Sequence, residues 1–596
     1  MRSIKTKCHE IRLEGESEAF KIAFEHSEAE EGIDIVRLTM TADRPAVPPV
    51  MKLSWTMPIV DIHAFWYPGV DRNKALHVDW GSGYRTNATS NAPIGCFYNP
   101  RGRNRLTFAF SDALNPIGIN AGVHEEDATL RCSLTLFDEQ APRRTTYEAE
   151  LRIDRRDIPY YESVDQVRSW WERMPAYAPM PVPDAAKRPM YSTWYSFHQD
   201  LTDAGVEAQC KLAQEAGYGA VIVDDGWQTS NNERGYAYCG DWEVCNEKIA
   251  DMRKHVDRIH DLGMKYLLWY SVPFVGLKSN AWTRFADKLL YRFDELGAGV
   301  LDPRFPEVRE YLIGLYEKAV TEWGVDGFKL DFVDSFTVPA GTSIAYGDGR
   351  DYDSVPKAVD RLMTDISLRL SADRPEMMIE FRQTYIGPLM RKYGNLFRAG
   401  DCPNDYIQNR VKTLDVRLLA GNTAVHSDMI MWHPSETATS AALQIINVLF
   451  SVPQISVRFD RIPPEHDEML RFWLSFWAEH RRTLLDGTLK PYSPDQLYPL
   501  VTAETEEEKI AVVYGGGRIV DEAACGGTVQ SRLILVNATG EDRLIVDMPR
   551  GDERGWRITV KSCMGAVCGE PRAEKAQGLI AVPVPPSGMA IMERIN

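Results

Sequence analysis

Carboxylates stand at the ends of short apolar runs in the middle of this chain, in positions where several could act on one ligand. Each run has the length and composition of a buried β-strand and ends in acidic residues. Carboxylates accept hydrogen bonds from hydroxyl groups, and two of them can divide the work of nucleophile or base and of acid. The acidic residues at these ends are Asp224, Asp225, Asp331, Asp334, Asp401, Asp428 and Asp460, and Glu380 lies inside one run.

Aromatic side chains accompany these carboxylates. Indole faces stack on the apolar face of a sugar ring, so a mouth lined by carboxylates and tryptophans indicates a carbohydrate ligand. The alternative for Trp194 and Trp269 is plain packing between strands. The aromatic residues near the ends of the runs are Trp194, Tyr195, Trp227, Trp269, Tyr270 and Trp432.

Asp331 has the surroundings that a nucleophilic carboxylate needs. It follows Lys329 by two residues in VDGFKLDFVD, so the two side chains point to the same face of a strand. A neighbouring ammonium group keeps a carboxylate ionised, and only the ionised form attacks. The alternative is a lysine–aspartate pair that merely fills the interior. We expect Asp331 to be the nucleophile.

The second carboxylate is expected at Asp401, in NLFRAGDCPND. Cleaving a glycosidic bond needs two carboxyl groups on opposite sides of that bond, and one of them must protonate the leaving oxygen. Asp405 competes for this role, but YIQNRVKTLDVRLLA at 406–420 has the pattern of a helix, and an aspartate directly before a helix is a common N-cap. We therefore prefer Asp401 as acid, with a pKa that neighbouring carboxylates would raise when substrate is bound.

Three further sets of residues each have two interpretations. Asp224 and Asp225 in IVDDGWQ could bind several ligand hydroxyls or could form an Asp-Gly turn. Glu380 and Arg382 in IEFRQ share one face of a strand, as ligand contacts or as a buried ion pair. Asp428 in VHSDMIMW could contact a ligand at the rim or could cap a helix.

The elements that must position these residues are predicted to form a (β/α)₈ barrel. Eight apolar runs alternate with amphipathic helices such as 252–263 and 306–324, a pattern typical of parallel βα units. In such a barrel the carboxyl ends of the strands carry the active site, which is where the carboxylates stand. The predicted strands are 190–197, 219–227, 265–271, 326–334, 377–385, 395–401, 426–432 and 454–460.

Flanking regions have the alternation and turn residues of antiparallel β structure. We predict a multidomain α/β chain with an N-terminal β-sandwich at 1–180, the barrel at 181–488 and a C-terminal antiparallel β-sandwich at 489–596. The proline-rich stretch 175–189 is predicted to be a linker, because proline blocks helix interiors and central strands.

Charge and composition limit the partners. The 596-residue chain carries a net charge of −17, which repels phosphate backbones and anionic lipids, so nucleic acid and membranes are not expected. No apolar run typical of a secretory signal follows Met1, so we expect a cytoplasmic location. The ten scattered cysteines lack a complete zinc-ligand set, and neither metal nor organic cofactor is expected. A homo-oligomer is compatible with the exposed β domains.

Three motifs carry a family resemblance. GAVIVDDGWQ, VDGFKLDFVD and LFRAGD, on the second, fourth and sixth predicted strands, resemble the α-galactosidase clan. They are most similar to glycoside hydrolase family 36, including its raffinose-synthase-like branch, and LDPRFPEVREYL is also similar to such barrels. A β-sandwich, a barrel and a C-terminal β domain follow one another in family 36. The resemblance therefore covers the whole architecture, although the motifs lie in the barrel.

The resemblance implies a retaining enzyme that cleaves terminal α-linked galactose, or a related α-sugar, by double displacement. Asp331 corresponds to the family's nucleophile and Asp401 to its acid/base residue. Asp224 and Asp225 correspond to the pair that binds the 4- and 6-hydroxyls, and Lys329 also contacts the sugar. Further substrate contacts are expected from Trp194, Trp227, Trp269, Glu380, Arg382, Arg398 and Asp428.

Two departures leave alternatives open. IEFRQTYIGP stands where many family 36 members carry a Cys- and Gly-rich loop that contacts the 2-position, and CPND follows Asp401 in place of the commoner continuation. An α-N-acetylgalactosaminidase is therefore one alternative. A galactosyltransferase of raffinose-synthase type would share every catalytic residue. A non-catalytic sugar-binding protein is a remote alternative, because both Asp331 and Asp401 are present.

Overall fold

The N-terminal part is a pair of six-stranded antiparallel sheets around one apolar core. The computed structural model describes residues 2–522, 530–550, 555–569 and 572–595. Along Thr129–Leu136 every second side chain is buried, as expected when one face of a strand covers a core. One sheet has the order Arg2–Lys5, Glu10–Glu14, Met51–Pro58, Thr129–Leu136, Ile117–His124, Tyr84–Thr86, and the other Lys21–Glu30, Ile33–Ala46, Arg144–Asp154, Asn104–Phe110, Ile94–Tyr98, Ala64–Trp66.

A short connection leads from this sandwich to the barrel. The helix Tyr160–Glu172 packs its buried face against the main core through Val164, Val167 and Trp171. The predicted linker follows and contains two short 3₁₀ turns, Pro175–Tyr177 and Asp184–Lys187.

The central part is a barrel of eight parallel strands, as predicted. The first and eighth strands pair, and an isolated parallel bridge between His426 and Val452 joins the seventh strand to the segment before the eighth. In chain order the barrel strands are Met190–Ser192, Ala220–Val223, Lys265–Ser271, Gly327–Asp331, Met378–Arg382, Leu396–Arg398, Ala424–His426 and Gln454–Ile455.

Two barrel strands differ from their predicted bounds for reasons visible in the hydrogen bonds. The first strand ends at Ser192, and a helical turn follows because the Ser456 hydroxyl accepts hydrogen bonds from the amides of Tyr195 and Ser196. The seventh strand ends at His426, before most of the predicted 426–432 run. The amide of Asp428 donates to the Asn409 side chain, so the backbone leaves the ladder there.

Helices surround the barrel. The predicted helix after Asp405 is confirmed, with the Asp405 carboxylate accepting from the Gln408 amide as an N-cap. The helix predicted to end at Gly324 does so through a π-helical turn, with Gly324 at φ +80°. The barrel helices are Trp194–Phe197, Asp203–Glu215, Met252–Asp261, Asn280–Phe285, Pro306–Lys318, Val355–Asp373, Pro388–Tyr393, Tyr406–Ala420, Ala438–Ile446, Pro464–Glu479 and Arg481–Asp486.

A small antiparallel sheet that the sequence analysis did not predict is inserted between barrel strands three and four. Its order is Phe274–Gly276, Ala298–Leu301, Leu289–Phe293. Phe274 of this sheet lies 4.9 Å, centroid to centroid, from Phe332, the residue after Asp331. The insertion therefore supports the rim of the barrel beside the candidate nucleophile.

The C-terminal part consists of a seven-stranded and a three-stranded sheet that share an apolar core. The last two strands, which are close in sequence, belong to different sheets. The larger sheet has the order Thr488–Tyr492, Leu500–Glu504, Glu508–Val513, Arg532–Asn537, Met589–Arg594, Trp556–Lys561, Arg572–Glu574, and the smaller Ile519–Asp521, Arg543–Met548, Gly578–Pro583.

A buried aspartate connects all three parts of the chain. Asp415, on the barrel helix Tyr406–Ala420, accepts hydrogen bonds from Trp66 and Lys74 of the N-terminal part and from Tyr498 of the C-terminal part. The Lys74 and Asp415 side chains are both 0% exposed. Burial raises the pKa of Asp415, and the ammonium of Lys74 opposes that shift.

Metal-ligand clusters and membrane-spanning helices are both absent from the described residues. Among those residues, no group of three or more His, Cys, Asp or Glu side chains could hold a metal ion. None of their helices has both the length and the apolar composition needed to cross a membrane. The cysteines of the described ranges are free thiols, and Cys525 lies outside those ranges.

Candidate active site

Asp331 lies at the end of barrel strand four with its two carboxylate oxygens in unequal surroundings. Oδ1 accepts from the Arg382 Nε at 2.7 Å, from the Phe332 amide at 2.8 Å and from the Tyr385 hydroxyl at 3.3 Å. Oδ2 accepts one bond, from the Trp269 indole at 3.2 Å. Three donors hold Oδ1 in place, and Oδ2 keeps lone pairs for another partner.

The charges around Asp331 favour its ionised form. Burial opposes ionisation, but the guanidinium of Arg382, the ammonium of Lys329 and the Trp269 indole together lower the pKa of this carboxyl. The side chain is only 8% exposed, so these interactions are poorly screened by water. An ionised carboxylate with one available oxygen is the form a nucleophile requires.

Lys329 faces Asp331, but its hydrogen bond goes to a different aspartate. Its ammonium donates to the Asp224 Oδ2 at 2.7 Å, across the barrel from strand four to strand two. Both side chains are buried, and the attraction of Asp224 outweighs burial to raise the pKa of Lys329. Lys329 and Asp224 therefore place a positive charge and a hydrogen-bonding carboxylate at the bottom of the barrel mouth.

Asp225 is held by two amides, one on each carboxylate oxygen. Gln199 donates to Oδ2 at 2.6 Å and Gln228 to Oδ1 at 2.7 Å. Burial raises the pKa of Asp225 to about 6, although both amide donors oppose that shift. Asp224 and Asp225 are equally buried, each 2% exposed, and Asp224 likewise accepts from protein donors, the Lys329 ammonium and the Asp225 amide.

Asp401 lies past the end of barrel strand six and is half-exposed at the rim. Its Oδ1 accepts from the Arg398 Nη2 at 2.8 Å. Burial of the carboxyl opposes the effect, but Arg398, Lys329 and Arg382 lower its pKa well below the usual range. Asp401 is therefore a carboxylate paired with a guanidinium, and the carboxylates of Asp331 and Asp428 lie near enough to interact with it.

Arg398 is the centre of a buried charge network. Its guanidinium pairs with Asp401, with Asp428 and, at 3.7 Å, with Glu380. Of the two interpretations of Glu380 and Arg382, an ion pair between them is not present, because Glu380 contacts Arg398 and Gln454 while Arg382 binds Asp331.

Asp428 is buried within the same network. It accepts from the Cys402 amide at 2.7 Å and from the Tyr195 hydroxyl at 2.9 Å, and burial raises its pKa. Asp428 and Glu380 are both 0% exposed, and their polar contacts are to other protein groups. They hold Arg398, and Arg398 holds Asp401.

Comparisons with known proteins agree with this geometry. The Melibiase family model matches residues 183–366, the segment from the first barrel strand through the candidate nucleophile. The galactosidase domain of the α-galactosidase–sucrose kinase AgaSK superposes with a TM-score of 0.65 at 12% identity, covering 99% of this chain and 82% of that one. An α-galactosidase from Lactobacillus brevis superposes with a TM-score of 0.64 at 14% identity, covering 99% of this chain and 82% of that one.

The chain shares its fold with glycoside hydrolase family 36 α-galactosidases.

Curated family relatives match short segments. The A type blood α-D-galactosamine galactosaminidase of Flavonifractor plautii is 25% identical over 197 residues, which is 29% of this chain and 17% of that protein. The α-galactosidase Mel36A of Lactobacillus acidophilus is 27% identical over 101 residues, which is 17% of this chain and 13% of that protein. The matched segments therefore span less than a fifth of these relatives.

The predicted tryptophans have three different positions in the barrel. Trp269 is buried and donates to the candidate nucleophile. Trp194 is partly exposed and lies 4.3 Å from the His198 ring, at the rim. The predicted ligand contact of Trp227 is not supported, because this side chain is 0% exposed and packs against Trp242 behind the site.

Several residues of the site were not predicted from the sequence. Tyr385 binds Asp331, Tyr195 binds Asp428, and Gln199 with Gln228 holds Asp225. Gln228 follows the DDGW motif directly, and this adjacency was a usable signal. Gln199 and Tyr385 come from loops after strands one and five, and nothing in their local sequence marks them.

Proposed function

We propose that the chain is a retaining glycoside hydrolase that removes terminal α-linked galactose by double displacement. The observation that carries the proposal is the inequality of the two Asp331 oxygens. Oδ1 is held by three donors and Oδ2 has one long hydrogen bond, so Oδ2 is the oxygen available to attack. Asp401, two strands away on the same rim, supplies the second carboxyl group.

The first step would form a covalent intermediate. Asp331 Oδ2 attacks the anomeric carbon, the bond from that carbon to the leaving oxygen breaks, and Asp401 transfers its proton to the leaving oxygen. In the second step Asp401 removes a proton from water, and the water oxygen attacks the anomeric carbon and releases Asp331. Two inversions give net retention of the α configuration.

Asp401 must acquire a proton before the first step. In the ligand-free chain its pairing with Arg398 favours the carboxylate. A sugar in the mouth would displace water from Asp401, and desolvation raises the pKa of a carboxyl group. We infer that substrate binding weakens the Arg398–Asp401 contact, since Arg398 keeps Asp428 and Glu380 as buried partners.

Sugar hydroxyls would be bound by the charged pair at the floor of the mouth. Asp224 accepts and Lys329 donates, so together they suit vicinal hydroxyl groups. Asp331 is only 6% exposed at this depth, which favours a sugar at the end of a chain. The structural neighbours and curated relatives that are named for α-galactosides support galactose as this sugar.

Azide rescue of two alanine variants tests the proposed roles. Asp331→Ala should lower hydrolysis of p-nitrophenyl α-galactoside by about 10³-fold or more, because the covalent step is lost. Azide should then replace the carboxylate and give the β-galactosyl azide. Asp401→Ala should give the α-galactosyl azide, because azide there attacks the β-linked intermediate. Proton NMR of the azide products distinguishes the two anomers.

The control is Asp365→Ala, which removes an exposed helix carboxylate that pairs with Arg361. It should keep wild-type rates and form no azide product. Full activity in Asp331→Ala, or the opposite anomer from either variant, would contradict the assignment of the two aspartates.

A further inference from the structure

Arg382 contacts the candidate nucleophile, Asp331, and its side chain remains partly exposed. Its Nε donates to Asp331 Oδ1, and its guanidinium lies 5.3 Å from the Phe332 ring and 5.1 Å from the Tyr385 ring. The two rings fix the plane of the guanidinium beside the carboxylate. Its side chain remains 24% exposed, at the point where a ligand would meet Asp331.

The outer edge of this guanidinium is available to a ligand. Within the described ranges, Nε is the only nitrogen of Arg382 that has a hydrogen-bond acceptor, and Asp331 is its only ion-pair partner. The other charged or titratable groups that affect this region are Asp334, Tyr385, Arg398 and Asp401. The two terminal nitrogens therefore keep N–H donors for a ligand, on a partly exposed guanidinium that is bonded to Asp331.

The chemistry of the proposed reaction indicates which part of the sugar meets this edge. When Asp331 Oδ2 bonds to the anomeric carbon, the neighbours of that carbon are C2 and the ring oxygen. Positive charge develops on the anomeric carbon and the ring oxygen in the transition state. A guanidinium beside the ring oxygen would destabilise that charge, so a productive sugar places C2 on the side of Arg382.

We propose that Arg382 determines specificity at the 2-position, accepting α-galactosides with a 2-hydroxyl group and rejecting those with a 2-ammonium group. A hydroxyl oxygen accepts a hydrogen bond from the free N–H donors, whereas an ammonium group has no lone pair and repels the guanidinium. Arg382 is also a positioning residue, because it fixes Oδ1 and leaves Oδ2 to attack. This inference rests on the proposed function of Asp331.

One relative provides a direct contrast. The Flavonifractor plautii protein is named for α-D-galactosamine, a sugar with an amino group at C2. Its similarity to this chain would suggest the same sugar. The positive charge of Arg382 predicts the opposite preference. The two hypotheses therefore predict different ratios of kcat/KM for the 2-hydroxyl and 2-amino sugars.

The test compares two substrates that differ only at C2. The kcat/KM of the full chain is measured for p-nitrophenyl α-galactoside and for its 2-amino-2-deoxy analogue. At a pH where the amine is protonated, wild type should favour the galactoside by about 100-fold or more. The ratio should narrow as the pH rises above the pKa of the substrate amine, because the repulsion is then removed.

Variants of Arg382 separate charge from structure. Arg382→Gln should lower kcat for the galactoside and reduce the substrate ratio about tenfold or more, with little remaining pH dependence of that ratio. Arg382→Lys keeps the charge and should keep most of the discrimination. Arg361→Gln, which removes an arginine paired with Asp365 on an outer helix, is the matched control and should change neither quantity.

Each outcome has a distinct meaning. Efficient wild-type hydrolysis of both substrates, or a ratio unchanged in Arg382→Gln, would overturn the role of Arg382 and leave the proposed function intact. Absence of hydrolysis of any α-galactoside, or an unimpaired Asp331→Ala, would instead overturn the proposed function. If Arg382→Gln does not fold, the pH dependence of the wild-type ratio still decides the question.

Discussion

At the scale of single residues, the site combines carboxylates whose proton affinities are pushed in opposite directions. The pKa of Asp331 is lowered by the cations beside it, whereas burial raises that of Asp225 to about 6. Asp331 ends barrel strand four, and Asp225 follows barrel strand two. Their surroundings keep Asp331 ionised, whereas Asp225 changes its charge near pH 6. Their chemistry follows from partners on other strands and loops.

Asp225 predicts a pH dependence of stability. The folded chain binds this proton more tightly than the unfolded chain, where the pKa is 3.8, so the group's contribution is complete below pH 3.8 and is lost as the pH rises through about 6. The loss above pH 6 amounts to about 3 kcal/mol. Asp225→Asn cannot ionise, and it should raise the thermal unfolding midpoint at pH 8 but not near pH 4.

The amide network can accommodate this substitution. The Gln199 Oε1 has no hydrogen-bond partner among the described residues, so a flipped Gln199 amide could accept from the new asparagine. Asp257→Asn, at an exposed carboxylate that pairs with Arg253, is the control and should show no such pH dependence. An Asp225→Asn protein that is less stable than wild type at pH 8 would contradict the prediction.

Part of the site was predictable from residue types. Asp331, Lys329 and Asp224 follow apolar runs, and the alternation of a strand fixes the direction of their side chains. The pairing of Arg382 with Asp331 was not predictable, because strand spacing left only Glu380 or a ligand as candidate partners. That choice depends on which side chains from other strands fill the barrel interior.

At the scale of elements, the loop after barrel strand two depends on one glycine. Gly226 has φ +112°, and a Cβ there would lie 2.5 Å from the Gln199 Cα and 2.7 Å from its carbonyl oxygen. The carbonyl oxygens of Gln199 and Gly226 both accept from the Lys248 ammonium. The loop that carries Asp225 is thus packed against the loop after strand one, backbone to backbone.

Gly226→Ala should destabilise this loop by more than the strain of a left-handed backbone alone. Gly217 is the matched control, since it has φ +99° but no other atom within 4 Å of the point that an added Cβ would occupy. Gly217→Ala should cost about 1–2 kcal/mol from backbone strain. Gly226→Ala adds a clash with backbone atoms, and it should lower both the unfolding midpoint and kcat/KM further. Equal effects of the two substitutions would show that the close contact is unimportant.

The type of an element was predictable where the hydrophobic period was clear. The residues at which a strand or helix begins and ends were not predictable. Eight parallel strands follow from eight apolar runs, because each run alternates with a helix pattern. The predicted seventh strand was too long, because within the apolar and buried residues 429–432 only Ile430 pairs with the ladder, through an isolated parallel bridge to Ile455. The inserted sheet at 274–301 was missed because its strands are too short to show a period.

At the scale of the whole molecule, the three parts meet around Asp415. Its carboxylate is buried with Lys74 and binds Trp66 and Tyr498, so one side chain joins segments far apart in sequence. Removing one member of a buried pair leaves the other charge without compensation. The order of the three parts was predicted from the sequence, but this contact depends on their mutual placement. The predicted domain bounds remain predictions.

Asp415→Asn should destabilise the full chain by about 3–5 kcal/mol, because the Lys74 ammonium stays buried without its counter-charge. The control is Asp486→Asn, which removes a surface pair between the linker residue Lys187 and the helix Arg481–Asp486 and should cost about 0–1 kcal/mol. Chemical unfolding followed by tryptophan fluorescence and circular dichroism measures both. A similar small loss in both variants would show that the buried junction contributes little.

The same junction limits how this chain can be divided by protein engineers. A catalytic fragment cut out at the two predicted boundaries would keep the Asp415 carboxylate and lose the indole, the ammonium and the phenol that satisfy it. Chimaeras that transplant the barrel between relatives would meet the same difficulty unless all four side chains were moved as one unit.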